Sequence, residues 1–386
     1  MTIDFVDLAK QYRGIKYQVV EEITACVERG NFVGGHWVDK FQKDFAMFHH
    51  IDHCVGVGSG TDALILALRA LDIGPGDEVI VPANTFIATA FAVTHVGADV
   101  VFADADPLTY NIACEDLEKY LTKRTKAIIP VHLYGNPADM NKVMEFAKLF
   151  DLKVIEDCAQ AIGAEYEGKK VGTFGDAGCF SFYPTKNLGG LGQGGAVITK
   201  HAEVAHTIES LSNVGRKKDS HYEYDHLGYN SRLDSINALF LDKCLDELTT
   251  WNMLRQSIAG LYNAVIDSIN CFDRQHLATD ADDVTGVYHL YEIKCESHKM
   301  RQDLQDFFNK NDVRVALHYP IPCHKQKVYK AHNNKAFPVA ESLCDTLLSL
   351  PMHPSLTADQ IAYVCEGLKE FAGYKYRRRN WLCFKK

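Results

Sequence analysis

The sequence predicts an α/β protein: a large domain over residues 1–240 built on a mainly parallel sheet, then a smaller α+β domain over residues 241–386. Three observations carry this. Between residues 50 and 200, short β-rich runs alternate with helical patterns. A long helical stretch from about Leu233 to Ile266 then leads out of the alternating region. The composition, 47% hydrophobic and 24% charged over 386 residues, suffices for an enzyme-sized core without disulfides or structural metal.

The β-rich runs are Glu78–Pro82, Asp99–Ala103, Ala127–Val131, Lys153–Ile155 continuing into Glu156–Asp157, Gly178–Phe182 and Gly195–Thr199. Helical patterns between them include Asp62–Leu71 and Met140–Phe150. Ligand chemistry in such sheets gathers at the carboxyl ends of the strands. In the smaller domain, Val287–Lys294 reads as a strand, Arg301–Asn309 as a helix and Val313–His318 as a second strand. Thr357 and Gln360 form a capping box ahead of Ile361, Val364, Leu368 and Phe371, which share one helical face. The basic, aromatic tail Tyr374–Lys386 reads as a solvated end.

A formal net charge of −9 argues against a general nucleic-acid binder, although a pocket can still be locally basic. The 12 cysteines are scattered, with none at the close spacing of a zinc ribbon or redox pair. No metal site is expected, and Cys158 and Cys179 read as small core residues in a reduced, cytoplasmic protein. The first residues lack signal-peptide features, and His95 and Asp99 interrupt the best candidate for a membrane span.

Three motifs carry chemistry. In Ser181–Asn187 (SFYPTKN), proline ends a strand and presents Lys186 on a turn before the glycine-rich GGLGQGG. An aldehyde cofactor such as pyridoxal phosphate needs a lysine held on a rigid support; a surface lysine on a glycine loop reads the same letters. Glu156–Gln160 (EDCAQ) puts acids at a strand's carboxyl end. Asp157 can face the pyridine nitrogen and keep it protonated, while Glu156 should point to the opposite side because neighbouring strand side chains alternate. Gln160 can donate to the ring's phenolic oxygen, and a helix cap is the plainer reading of the acid. Ser59, Gly60 and Thr61 precede an apolar helix whose first N–H groups suit a phosphate, and ordinary capping explains them about as well. Ser181 is a further phosphate ligand candidate. Phe86, in NTFIATA, can stack on a flat ring or fill a core.

Taken in order, IDFVDLAKQY, GSGTDAL, PANTFIATA, VHLYGNPADM, EDCAQAIGA, FSFYPTKNLGGLGQGGAVIT, GYNSRLD and HYPIPCH make the chain resemble the DegT/DnrJ/StrS family of sugar-nucleotide aminotransferases almost throughout. That resemblance implies the aspartate-aminotransferase fold, the type I fold of pyridoxal-phosphate enzymes. It implies Lys186 as the Schiff-base lysine, Asp157 as the pyridinium partner and Gln160 as the contact to the ring oxygen. Gly60, Thr61 and Ser181 would hold the phosphate, Phe86 would cover the ring, and Tyr183 would lie close to the lysine. Asn230, in GYNSRLD, would reach the phosphate of a neighbouring subunit's cofactor, implying a homodimer with shared active sites. Two departures stand out: Ile162 where many members have His, and Gln193 where many have an acid.

The expected reaction is transfer of an amino group from L-glutamate to a nucleotide-linked keto-deoxysugar. The stretch His318–His324 resembles the 3-aminotransferases, so the expected substrate is dTDP-3-keto-6-deoxyhexose, giving the dTDP-3-amino-3,6-dideoxy sugar. His318, Tyr319 and His324 would contact the sugar nucleotide, on a loop stiffened by Pro320 and Pro322. A rigid interdomain turn is the plainer reading of those letters. The competitors are amination at C4 instead of C3, a family dehydratase (against which Lys186 argues, since that branch carries histidine there), and a non-catalytic cofactor-binding regulator.

Overall fold

Seven apolar runs pair into one sheet in the computed structural model, which describes residues 2–383 except 31, 270, 278–282 and 333, with side chains through residue 373. The tail's side chains therefore lie outside the described residues. The strands are β1 (His53–Val57), β2 (Glu78–Pro82), β3 (Asp99–Ala103), β4 (Thr125–Ile128), β5 (Lys153–Asp157), β6 (Ala177–Ser181) and β7 (Gly195–Thr199). Their spatial order is β1-β7-β6-β5-β4-β2-β3. The contacts β6–β5–β4–β2–β3 are parallel, and β7 alone runs antiparallel, to both β1 and β6. All five residues of β2 and of β7 are buried, as a sheet covered on both faces requires.

One core packs on the face that carries helix α1 (Gly60–Ala70), whose residues Ala63 to Leu68 are all buried. The other holds Phe41, Phe45, Phe180 and Phe182. A third belongs to a smaller antiparallel sheet, β8 (Asp273–Arg274), β9 (Tyr291–Lys294) and β10 (Leu347–Leu350), in that order. The 35-residue helix α2 (Ser235–Ile269) links these cores: Phe240 to Trp251 pack in the second, and Ile258 to Ile266 in the third. A boundary at residue 240 falls inside this helix. Cys323 and Leu343 pack back on the first core, so chain order and core membership do not coincide.

Helix α3 (Ala358–Cys383) starts with reciprocal bonds between Thr357 and Gln360 of 3.0 and 3.2 Å. Its Ile361, Val364, Leu368 and Phe371 all enter the third core. Two expected strands are shorter than read. Val287 and Leu290 donate to the carbonyls of Gly135 and Tyr134, so ladder pairing begins only at Tyr291. Residues 313–318 form isolated bridges, because Ile3 takes Val313 and Ser349 takes Ala316. Among the described residues no helix is long and apolar enough to cross a membrane.

Candidate functional site

Four strand ends meet on one edge of the large sheet: Ser59 after β1, Ala83–Phe86 after β2, Asp157 on β5 and Ser181 on β6. After β6 the chain makes a tight turn, with Lys186 N–H donating to the Tyr183 carbonyl (2.8 Å) and Gly190 N–H to Phe182 (2.8 Å). The glycines are needed sterically. A Cβ on Gly189 would stand 2.2 Å from the Pro184 oxygen, and one on Gly190 2.3 Å from Asn237 Oδ1. Asn187 anchors the turn by donating to Asn252 Oδ1 (2.8 Å) and to the Val287 carbonyl (3.0 Å). Its Oδ1 accepts from His289 Nδ1 at 3.2 Å. The turn is thus fixed on both sides of Lys186. Burial lowers the Lys186 amine to about 8, and the negative charge of Asp157 opposes that shift.

Asp157 is buried, with Oδ2 accepting from Thr89 Oγ1 (2.8 Å) and Oδ1 from the Ala159 N–H (3.1 Å). Burial raises its pKa; Thr89, Ala159 and the nearby Lys186 hold it back. Glu156 faces the other way, as strand alternation requires, into a seat of its own. It accepts from the N–H groups of Gly172 (2.7 Å), Phe174 (2.8 Å) and Gly175 (2.8 Å) and meets His132 Nε2 at 3.1 Å. His132 Nδ1 accepts from Ala138 N–H (3.0 Å), so its proton sits on Nε2 and points at Glu156. His132, Glu156 and Cys158 lie close enough to suggest a metal trio. The His132 and Glu156 atoms are occupied by these hydrogen bonds, and Cys158 Sγ–H donates to the Glu156 carbonyl at 3.8 Å.

At the other end, Ser59 caps α1 through Asp62 N–H (3.1 Å) and accepts Ala63 N–H on its carbonyl (3.0 Å). The helix itself makes no use of the Gly60 and Thr61 N–H groups, the first two of its N-terminus. A Cβ on Gly60 would meet Ser181 Cβ at 2.6 Å, so the helix start lies directly against Ser181. A planar pyridine ring with an aldehyde and a phosphate suits this donor set: an amine depressed by burial, a buried acid, and the first N–H groups of a helix beside a serine.

The remaining expected residues divide. Gln160 is buried; its Oε1 accepts from Tyr134 N–H (2.6 Å) and its Nε2 donates to Tyr319 Oη (2.9 Å). Phe86 is 52% exposed, and its ring lies 5.5 Å from that of Tyr319. Tyr183 is exposed as well. His318 stacks on Phe5 (5.6 Å), and Lys186 together with burial pulls its pKa down to about 4, burial being the larger cause. Asn230 is exposed, its backbone bridged to Asn213, while the adjacent Ser231 donates to Asp62 Oδ2 (2.8 Å). His324 departs from expectation. It has no exposed surface, bonds Glu341 Oε1 at 3.0 Å and packs on Phe337 and Phe102. A residue sealed in this way contributes packing, and a substrate does not reach it. Ile162 is likewise core, its carbonyl accepting from Asn252, and the Gln193 carbonyl accepts from Asn237. Thr89 and His289 were missed by the sequence reading. Thr89 stands in NTFIATA, where a hydroxyl one helical turn past Phe86 was the available signal.

The chain matches the model of the DegT/DnrJ/EryC1/StrS aminotransferase family over residues 14–369. It is 42% identical over 367 residues, 95% of this chain and 97% of the relative, to UDP-N-acetyl-3-dehydro-alpha-D-glucosamine 3-aminotransferase of Acidithiobacillus ferrooxidans. It is also 42% identical over 374 residues, 96% of this chain and all of the relative, to dTDP-3-amino-3,6-dideoxy-alpha-D-galactopyranose transaminase of Aneurinibacillus thermoaerophilus. Among solved structures, S. venezuelae DesV in complex with a ketimine intermediate superposes with a TM-score of 0.91 at 37% identity, covering 96% of this chain and 98% of that one.

Proposed function

This chain belongs to the DegT/DnrJ/EryC1/StrS aminotransferase family, and from that premise we propose that it moves an amino group from L-glutamate to C3 of dTDP-3-keto-6-deoxyhexose. It is a pyridoxal-phosphate-dependent sugar-nucleotide aminotransferase. The observation that carries the assignment of roles is the pairing of a depressed amine, Lys186, with a buried acid, Asp157, at adjoining strand ends.

When bound, pyridoxal phosphate supplies the aldehyde that carries the amino group and a protonated ring that draws electrons from the breaking bond. Lys186 would hold the aldehyde through its amine; in the neutral form that amine would carry the proton lost from the donor's α-carbon to the cofactor, and in the second half of the reaction carry a proton from the cofactor to the sugar's C3. Asp157 keeps the pyridine nitrogen protonated, and Thr89 and the Ala159 N–H hold that carboxylate in place. Gly60, Thr61 and Ser181 bind the phosphate, and Gln160 and Phe86 position the ring. Tyr183, His318 and Tyr319 face the sugar.

The substrate reading draws on the dTDP relative and on the 3-position shared by both relatives' names. The first relative's equal identity supports a second reading, a UDP-linked 3-keto acetamido sugar. Offering dTDP-, UDP- and GDP-linked 3-keto and 4-keto sugars with glutamate, and identifying products by NMR, decides between them. We expect amination of the dTDP-linked 3-keto sugar. Turnover of a 4-keto sugar alone would overturn the C3 assignment.

Asn230 is assigned to the phosphate site of a second subunit, so the working unit is a homodimer. Where Asn230→Ala is inactive alone, mixing it with Lys186→Ala chains under subunit exchange yields heterodimers with one intact site, and activity should return. No recovery despite proven exchange would mean that each site is built from one chain.

A further inference from the structure

Glu292 is a carboxylate buried in the smaller sheet with almost nothing to satisfy it. It lies on β9 directly opposite Ser349 on β10 and is 2% exposed. Ser349 donates its hydroxyl to Glu292 Oε1, while Oε2 has no hydrogen-bond partner among the described residues. The same Ser349 Oγ lies 2.7 Å from His318 Nδ1. The histidine is held on three sides. Tyr134 Oη donates to its carbonyl, Phe5 stacks on its ring, and Ala316 and Ser349 exchange backbone bonds two residues away. Glu292, Ser349 and His318 therefore form one continuous chain, ending at a ring that feels the charge of Lys186.

A hydroxyl carries one proton, so Ser349 can donate to only one neighbour at a time. With Glu292 ionised, Ser349 donates to the carboxylate and must accept from His318 Nδ1–H, which leaves Nε2 as a bare acceptor. With Glu292 protonated, the carboxyl donates to Ser349 Oγ, Ser349 donates to Nδ1, and the imidazole proton sits on Nε2. The two states differ by one proton. A proton arriving at Nε2 displaces the Nδ1 proton to Ser349 Oγ, and the serine proton passes to Glu292; the reverse sequence returns it.

We propose that Glu292 is a buried proton store for the active site, filled and emptied through Ser349 and His318, so that His318 changes tautomer without becoming a cation. This deepens the reading of the Lys186 site as the amino-transfer centre and rests on it. A cationic imidazole is disfavoured there, since burial and Lys186 hold His318 down to about 4. Glu292, by contrast, is pushed up to about 8 by burial, with the Ser349 bond opposing. The groups facing it are hydroxyls: Ser349 from β10, Tyr134 and Tyr110 from loops of the large sheet, and Tyr319 beside His318. Each of the three tyrosines is raised above its ordinary value, chiefly by burial, so Glu292 is the group in this cluster that titrates near neutrality. His318 and Glu292 are positioning and relay groups in this scheme, and the sequence offered no motif that joins them.

The test uses the cofactor-loaded enzyme with ¹⁵N-labelled histidine, the His318 signals being assigned by their loss in His318→Gln. In the wild type the His318 tautomer should invert between about pH 6 and about pH 10, a change of roughly a hundredfold on each side of a midpoint near 8. Glu292→Gln keeps the shape and should abolish that inversion; Ser349→Ala should also abolish it, and Ser349→Thr should restore it. A His318 tautomer that inverts equally in Glu292→Gln would overturn the proposal, as would one fixed at every pH in the wild type. The NMR readout does not depend on turnover. Inversion tied to Glu292 in a protein that aminates no sugar nucleotide would leave the relay standing and remove the proposed function. Amination with no such inversion would do the opposite.

Discussion

Lys186→Ala should lose turnover by about 10,000-fold or more while still retaining cofactor through its phosphate. A positioned proton-transfer group alone contributes about 10²–10⁴, and this variant loses the covalent anchor as well. The variant should also lack the visible band of lysine-held cofactor, and cofactor content measured after acid release should stay near one per chain. Near-normal turnover would remove the proposed role of Lys186. A pH signature accompanies it in the wild type. Only the neutral amine captures an aldehyde, and burial places the Lys186 pKa at about 8. Capture of added cofactor by the cofactor-free protein should therefore quicken as pH rises through about 8 and level off above it.

Asp157→Asn should cost about 1.5–3 kcal/mol in the transition state, roughly ten- to a hundredfold in kcat, because a charge-assisted bond is exchanged for a neutral one of the same shape. Cofactor content should change little. The substitution also moves the capture profile, and the sign is fixed. Asp157 raises the Lys186 pKa against burial, so removing its charge lets the amine titrate lower. The rising limb should shift to more acidic pH. A shift toward alkaline pH, or an unchanged kcat, would assign the pyridine nitrogen to another group.

Much of this site was legible because it is local in the chain. Lys186 follows its strand within one motif, and the opposed duties of Glu156 and Asp157 follow from the two-residue period of β5. The capping box at Thr357 was readable for the same reason. What escaped depends on tertiary pairing. Thr89 matters because the loop after β2 and the helix Ala88–His95 bring it over Asp157, 68 residues away in sequence. Glu292 and Ser349 meet only through the register of β9 with β10. His324 was misplaced because its ring and the two prolines that precede it, Pro320 and Pro322, signal a stiff loop, whereas Phe102 and Phe337 decide which way the ring turns. The expected strand at 313–318 rests on the alternating Val313 and Val315, and its partners, Ile3 and Ser349, offer one bridge each.

The seat of Glu156 also bears on how reliably the chain finds its native arrangement. Three N–H groups from the Gly172–Gly175 turn and the Nε2–H of His132 converge on one carboxylate at the end of β5. A strand displaced by one position would reverse every side chain, taking Glu156 out of that seat and Asp157 away from Thr89. Either error strands buried polar groups, each at a cost of about 1–3 kcal/mol. Adjacent acids of opposite orientation thus act as a two-sided key, through which the fold checks its own alignment where an offset of 3 Å or so would ruin the chemistry.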